Sequence, residues 1–567
     1  MHSNSVASEK MEKPIKRQTE LVPAFLCNDK NASVALIVLA LLLFLPGFFT
    51  VPPLDRDEPR FAQASKQMLE SGDYVDIRFQ EEPRHKKPVG IYWLQSGFAK
   101  LTGLDAGSPI WVYRLPSLIG AILAILATFW CARAFTGPPE ALIVACFVGA
   151  TIILGVEARL AKTDAFLLAT VVFAQGALVR IWQRDKVKRP VGLALIFWAA
   201  FAAGILIKGP VGPMVLALTI GALCIFTRKV GWVARLMPVS GLLLSVVLVM
   251  PWFVAITIAT DGAFFEEAVF KDLLGKVGQG QESHGAPPLT HLAAMIGTFW
   301  PLSAFAILAA PIAFRRRREP AFLFLLAWAL PSWVVFELVA TKLPHYTMPI
   351  MPAIALLVVL AFSGSFKSWR FGRAIAAVLM LLVPLGLLVV SIGAPLYFDD
   401  PVSFIAVSLC LIGAVFAFIS AKRLYLALEP LKAFVPAIIA VLFCYGGIWG
   451  GAFPALSTIW ISPRLAAAID ENSACVNPAI KSAGFHEPSF VFLTRTDTSF
   501  DNPGRIAEWL SMPGCRIAVV DAKQLHDFTA FFDEKGMKPA EIALVQGLNI
   551  NGGKELALHV FQMDHGK

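Results

Sequence analysis

Apolar residues in this chain come in runs long enough to cross a bilayer. A hydrocarbon core of roughly 30 Å calls for about 20 apolar residues in helical form, and that ruler finds about thirteen candidates. They centre near residues 42, 125, 148, 173, 198, 218, 248, 302, 330, 354, 384, 411 and 442. Several are interrupted by Gly and Pro, which membrane helices tolerate because neighbouring groups satisfy the freed backbone. The pattern predicts a polytopic α-helical membrane protein. The first apolar run, 35–51, lacks a small-residue cleavage pattern and reads as a retained first span.

Two polar stretches are too long to be connectors: about 52–110, between spans one and two, and about 457–567. The second holds strand-like runs, Phe490-Val491-Phe492-Leu493 and Ile517-Ala518-Val519-Val520, alternating with helical patterns such as 522–535. That alternation predicts a small α/β domain. The expected organisation is a cytoplasmic tail (1–31), a transmembrane module (32–456) with its outside loop 52–110, and a soluble domain (457–567).

Composition agrees. The chain is 57% hydrophobic and 16% charged, where a soluble domain carries about 25% charged residues. The net charge of +9 does not point to nucleic acid, because no recognition module accompanies it. The cations sit mostly in short segments between apolar runs, where they set orientation. With the basic N-terminus inside, alternate loops should be basic. They are: 184–189, Arg228-Lys229, 315–318, 367–373 and Lys422-Arg423. An odd number of spans puts the C-terminal domain on the non-cytoplasmic side. Five of the eight cysteines lie in apolar runs and read as small buried hydrophobes. Cys475 and Cys515 share the polar tail, where an oxidising compartment would let them pair.

The first outside loop breaks the charge rule. It carries Arg56, Arg60, Lys66, Arg78, Arg84, Lys86, Lys87 and Lys100. An inverted topology would explain this, but the other loops argue against inversion. Cations held outside against the bias point to an anionic ligand, most simply a phosphate or lipid head group. Within the loop, Asp57 stands at a helix start with Pro59 in the first turn, Phe61, Ala64, Met68 and Leu69 recur at helical spacing, and Gly72 ends the run. This predicts an amphipathic helix lying on the membrane surface. A helix cap alone would also account for Asp57. Arg60, three residues on, can pair with it and hold it ionised. Pro83-Arg84-His85-Lys86-Lys87-Pro88 leads into a second expected surface helix at 90–94. Anchoring to anionic lipid is the simpler reading of that basic tetrad.

Further ionisable groups fall at span ends on the same face: Glu157, Lys162 and Asp164, then Lys208-Gly209-Pro210, His284, and Lys342-Leu343-Pro344-His345-Tyr346. Charges near a membrane are costly and usually functional, although a lone Lys at a helix end often snorkels. Together they describe an outward-facing cavity with two carboxylates, Asp57 and Asp164, and several cations; Glu58, Lys208, His284 and Tyr346 are expected around it.

The stretch from Asp57 to Ala62, the Met-Leu-x-Ser-Gly-Asp at 68–73, Lys87-Pro88 with Tyr92-Trp93-Leu94, and Arg114-Leu115-Pro116-Ser117 resemble the aminoarabinose transferases of lipid A and their protein mannosyltransferase relatives. Asp164, Lys208-Gly209-Pro210, Pro251-Trp252, Trp300-Pro301 and Lys342-Leu343-Pro344-x-Tyr346 fall in the same order. The resemblance spans about 35–360; in the tail, Gly547-Leu548-Asn549 with Gly552 resembles the last strand of that family's soluble domain. It implies a GT-C fold and an inverting glycosyltransferase of the bacterial inner membrane. The implied donor is a polyprenyl-phosphate sugar such as an undecaprenyl phosphate sugar. The implied acceptor is a glycolipid of the lipid A or lipopolysaccharide type, reached at the periplasmic face. By position the catalytic carboxylate is Asp57, with Asp164 second and Lys87 on the donor phosphate; Arg60, Lys86, Arg84 and Lys342 are expected to support it. Lys86 stands where the aminoarabinose transferases have a Glu associated with a metal site, so no metal ligand is expected there, and the added positive charge would suit an acidic sugar. A protein O-mannosyltransferase is the nearest alternative. A lipid or sugar transporter would instead place its charges near the midplane and show repeated halves.

Overall fold

The structure, a computed structural model, describes residues 22–54, 57–183, 190–278, 285–363, 369–426 and 430–563. Among these, nine helices are long and apolar enough to cross a membrane, and three more apolar helices, Pro138–Ala150, Val211–Thr227 and Leu302–Arg315, are shorter. Each expected centre falls on or at the end of an apolar helix. The count by length is nine because four of the expected spans form shorter helices, three of them with a proline at or just before the start. Pro138 opens one, and Pro210 and Pro301 immediately precede two others. The first apolar run forms only a 16-residue helix, α1 (Asp29–Phe44). The basic run 184–189, Lys367 and Arg56 lie outside the described residues.

After α1 come two short helices, α2 (Asp57–Ser71) and α3 (Gly90–Leu101), joined through a small hairpin of β1 (Arg78–Phe79) and β2 (Glu82–Pro83). The bundle then continues with α4 (Ile110–Ala132), α5 (Pro138–Ala150), α6 (Ile152–Glu157), α7 (Asp164–Trp182), α8 (Val191–Lys208), α9 (Val211–Thr227) and α10 (Pro238–Ala259). Helices α4 and α7 form its buried middle and pack on each other, with α8 against α7. They approach closely because Gly120 has no side chain: a Cβ there would sit 2.7 Å from the Phe166 backbone. On α10 the outer side chains Leu242, Leu243, Val246 and Val247 are exposed, as lipid-facing residues must be.

Helix α2 departs from expectation. Its apolar stripe is present, but Phe61, Ala62, Gln63, Ala64, Ser65 and Met68 are all buried. It lies between α3 and a helix of the C-terminal domain, so its apolar stripe packs on protein. Its entry is fixed by Arg114 of α4, which is fully buried. That guanidinium donates to Glu58 Oε1 (2.7 Å) and Oε2 (3.0 Å), and to the carbonyls of Phe48 (3.1 Å), Val51 (2.8 Å) and Pro52 (2.9 Å). One side chain therefore ties the exit of α1 to the start of α2. A buried pair of this kind is stable only because every donor finds a partner.

The C-terminal domain is a five-stranded mixed sheet in the order β4-β3-β5-β7-β6, formed by β3 (Ala479–Ala483), β4 (Ser499–Phe500), β5 (Arg516–Asp521), β6 (Ala540–Asn549) and β7 (Lys554–Gln562). Strand β3 runs parallel to β4 and β5, and β7 is antiparallel to β5 and β6. The α/β expectation holds, with strand β5 and helix Leu525–Lys535 where the pattern put them. The run at 490–493 is a correction: it belongs to a helix, Pro488–Leu493. Gly547-Leu548-Asn549 ends the penultimate strand, β6, so the expectation of a last strand there is also corrected. Cys475 and Cys515 are joined by a disulfide.

Candidate active site

Helices α2, α7, α8 and α9 meet the segment after α10 and the 3-10 helix Pro344–Ile350 around a cavity of about 600 Å³, within the size range of small-molecule sites. Most of its wall is apolar, with Phe61, Met214, Phe253, Phe264, Phe265 and Phe336 prominent. Its polar groups are Asp57, Lys86, Lys87, Lys162, Thr163, Asp164, Lys208, Asp272, Lys276, His345 and Tyr346. An oily chamber with charges grouped on part of its wall suits a ligand that is itself half lipid.

Asp57 is the first residue of α2, where the helix N-terminus favours an anion. Its side chain remains 46% exposed, and Arg84 Nη2 stands 3.9 Å from Oδ1. Burial pushes the Asp57 carboxyl up, but Lys162, Arg84, Arg60 and His345 outweigh that and hold it below the ordinary carboxylate range. It is ionised at neutral pH. Arg84 is held in turn over the Phe61 ring at 4.9 Å, and Phe61 stacks on Tyr92 at 5.4 Å. Arg60 acts on Asp57 through its charge.

Asp164 opens α7. Lys208 Nζ lies 2.5 Å from its Oδ1, Thr163 Oγ1 3.2 Å from Oδ2, and His345 Nε2 3.9 Å away. Gly209 makes this possible. At φ +63° and ψ −132° it occupies backbone space open essentially to glycine, and it turns the chain between α8 and α9 so that Lys208 faces α7. Ser117 of the Arg-Leu-Pro-Ser motif donates to the carbonyl of Lys162 at 3.0 Å, fixing the loop that leads into Asp164. That motif positions the site without entering it.

Lys87 donates to Asp272 Oδ2 (2.8 Å) and to the carbonyl of Lys86 (3.0 Å). Burial pushes the Lys87 ammonium down to about 8, against the pull of Asp272. Asp272 also accepts from Lys276 Nζ at 2.5 Å.

The structure thus brings together Asp57, Asp164, Lys86, Lys87, Lys208 and Tyr346, with Arg84 and Arg60 beside Asp57. Two expected members are elsewhere. Glu58 is fully buried on Arg114, Leu54 N and Ala161 N, and does not line the cavity. Lys342 turns its ammonium toward the carbonyls of Glu337 (3.0 Å) and Val339 (2.6 Å), closing a helix end, and is not among the residues lining the cavity. His284 lies outside the described residues. Lys162, Asp272, Lys276 and His345 complete the site; the span-end positions of Lys162 and His345 are visible in the sequence, while Asp272 and Lys276 carry no signal there beyond lying in the segment 261–288 between two apolar runs. Among the described residues no three of His, Cys, Asp and Glu converge where they could hold a metal ion, and the lysine-rich wall does not fit one.

Residues 86–254 match the family model for dolichyl-phosphate-mannose-protein mannosyltransferase. The chain is 26% identical over 421 residues to an undecaprenyl phosphate-alpha-4-amino-4-deoxy-L-arabinose arabinosyl transferase of Pseudomonas aeruginosa (strain LESB58), covering 71% of this chain and 73% of that protein. The protein of the same name from Edwardsiella ictaluri (strain 93-146) is 24% identical over 381 residues, covering 64% and 66%. In fold the chain is similar to ArnT from Cupriavidus metallidurans, with a TM-score of 0.71 and 18% identity in the apo state, covering 93% of this chain and 97% of that one. The same protein bound to undecaprenyl phosphate gives 0.70 and 19%, with the same coverage.

Proposed function

We propose a function from the premise that this chain belongs to the GT-C membrane glycosyltransferases, the family of the aminoarabinose transferases and protein mannosyltransferases. It is a polyprenyl-phosphate-dependent glycosyltransferase that moves a sugar, by inversion, onto a lipid A or lipopolysaccharide-type acceptor at the periplasmic face of the inner membrane. One observation carries the reading: an ionised carboxylate, Asp57, and a set of lysines share one wall of an otherwise apolar chamber.

The chemistry follows from the donor. Its sugar is already activated, and its leaving group is a phosphate monoester on a lipid. The barrier falls if the charge developing on that phosphate meets fixed cations that need not reorganise. Lys87 fills this role, supported by Lys86, Arg84 and Arg60. The polyprenyl chain has the Phe253, Phe264, Phe265 and Met214 surface to lie on. If the acceptor is a hydroxyl, Asp57 takes its proton as general base. If it is a phosphate, already anionic, Asp57 orients it and stabilises the oxocarbenium-like carbon. Asp164, set by Lys208, is the second carboxylate.

Orientation has its own support. Arg228-Lys229 follows α9 at the end opposite Pro210, and Arg315, Arg316, Arg317 and Arg318 stand ahead of the helix Pro320–Leu338, whose far end (Val335, Phe336, Leu338) lines the cavity. Basic loops on the side away from the chamber support a chamber on the non-cytoplasmic side.

Asp57→Asn is expected to abolish sugar transfer in membranes while expression and the thermal midpoint stay at wild-type level. Near-normal transfer would refute the assignment. Mass spectrometry of lipid A, core oligosaccharide and secreted proteins from a deletion strain identifies the acceptor. A change confined to secreted proteins would favour the protein O-mannosyltransferase reading, which the family-model match supports.

A further inference from the structure

One wall of the cavity is the segment that follows α10. Asp261 and Gly262, both at positive φ (48° and 80°), turn the chain back, and Phe264 anchors it against Trp252 (5.1 Å) and His85 (5.7 Å). Residues Glu266–Leu274 then wind as a π-helix and Gly275–Gly278 continue as α-helix. A π-helix is rare and costs packing, and it occurs preferentially at functional sites. Here it carries Asp272 to a position 8% exposed, with its two carboxylate oxygens on two different ammonium groups: Oδ2 on Lys87 at 2.8 Å and Oδ1 on Lys276 at 2.5 Å.

A strut would place such a cluster in the packing between helices. This one lines the chamber itself, with all three side chains on its wall. Two cations against one anion also leave the cluster under-neutralised, facing the space where a negative head group would come. A carboxylate and a phosphate present a similar edge of two oxygens to a pair of ammonium groups. We propose that Lys276 is a second ligand of the donor phosphate, and that Asp272 is a built-in competitor for it. The carboxylate occupies the two lysines in the empty site, yields them to the lipid phosphate, and reclaims them as product departs. This rests on the lipid-phosphate reading above. The competitor has a purpose in turnover. Transfer converts a phosphodiester into a lipid phosphate monoester of greater negative charge, which two lysines would hold harder than the donor. A carboxylate returning to them offsets that excess.

The test uses the full-length protein in nanodiscs, titrated with undecaprenyl phosphate and with undecaprenol as the uncharged control. Asp272→Asn is expected to bind undecaprenyl phosphate about tenfold tighter than wild type, inside the usual range of coupling between sites, with undecaprenol binding unchanged. Its steady-state turnover falls while the first turnover does not. Lys276→Gln is expected to bind the phosphate about tenfold more weakly. Asp272→Ser, small and uncharged, carries the same expectation should the Asn variant fail to fold. Wild-type or weaker affinity in the Asp272 variants, or wild-type affinity in Lys276→Gln, overturns the proposal while leaving the enzyme reading standing. No binding of undecaprenyl phosphate by the wild type overturns both.

Discussion

An ammonium that is to hold a phosphate must be charged when the phosphate arrives, and Lys87 is charged only within limits. Burial brings it from 10.5 down to about 8, so in the empty enzyme it is protonated below about pH 8 and neutral above. Because kcat/KM reports the free enzyme, it should fall as pH rises through about 8. Lys87→Arg, which stays charged, should move that limb up by a pH unit or more even if its overall rate is lower. A limb that stays put in Lys87→Arg would assign it to another group. Unfolding cannot mimic this loss through Lys87. Its folded-state value lies below the unfolded one, so the unfolded chain binds the extra proton between about 8 and 10.5, and this group's contribution to stability rises with pH across that window. At this scale the charges that broke the orientation rule were legible in sequence. Pairings were not: Lys87 and Asp272 are 185 residues apart, and nothing local in Lys342 distinguishes a helix-closing ammonium from a ligand.

Between residues and bundle stand short elements whose backbone decides where charges point. The turn between α8 and α9 is the clearest. Gly209 has no neighbour within 4 Å of where a Cβ would be, so a methyl group there meets no obstacle, and Gly209→Ala isolates the cost of its backbone conformation. That cost is about 1–3 kcal/mol, and the chain can escape it by relaxing the turn that aims Lys208 at Asp164. The expected outcome is a lower thermal midpoint together with reduced transfer. A variant with both at wild-type level would show that the turn tolerates a side chain and that the Lys208–Asp164 contact does not depend on it. Elements were read from periodicity with mixed success for a physical reason. A four-residue apolar run such as 490–493 fits a strand or a buried turn of helix equally well. Pro488 in the first turn and the Phe492 ring edge-on to Tyr113 at 5.5 Å settle it as helix. The stripe on α2 was real, but a stripe names no partner, and here the partner is protein.

At the scale of the molecule, the C-terminal domain and the chamber share one end of the bundle. Gln63 of α2 donates to Thr496 Oγ1 at 2.7 Å, Thr496 donates to Glu70 at 2.7 Å, and Lys66 donates to the Phe492 carbonyl at 3.4 Å. The helix that begins with Asp57 is therefore gripped by the C-terminal domain, and whichever side of the membrane one faces, the other faces too. Spacing and charge alternation foreshadowed that arrangement, because the count of spans and the basic loops both depend on long, redundant runs. The contacts themselves were invisible, since polar side chains on two surfaces carry no mark of meeting. The disulfide turns this geometry into a test of sidedness. Cys475 and Cys515 close a loop of sequence separation 40, and such a link persists in an oxidising compartment. In intact cells both thiols should resist alkylation until reductant is added, and Cys475→Ser should destabilise the C-terminal domain by about 2–4 kcal/mol, read as earlier cleavage of the tail in limited proteolysis. Free thiols that react with a reagent confined to the cytoplasm would place the domain inside. Because α2 is locked to that domain, Asp57 and Lys87 would then be inside as well, and a donor presented at the outer leaflet could not reach them.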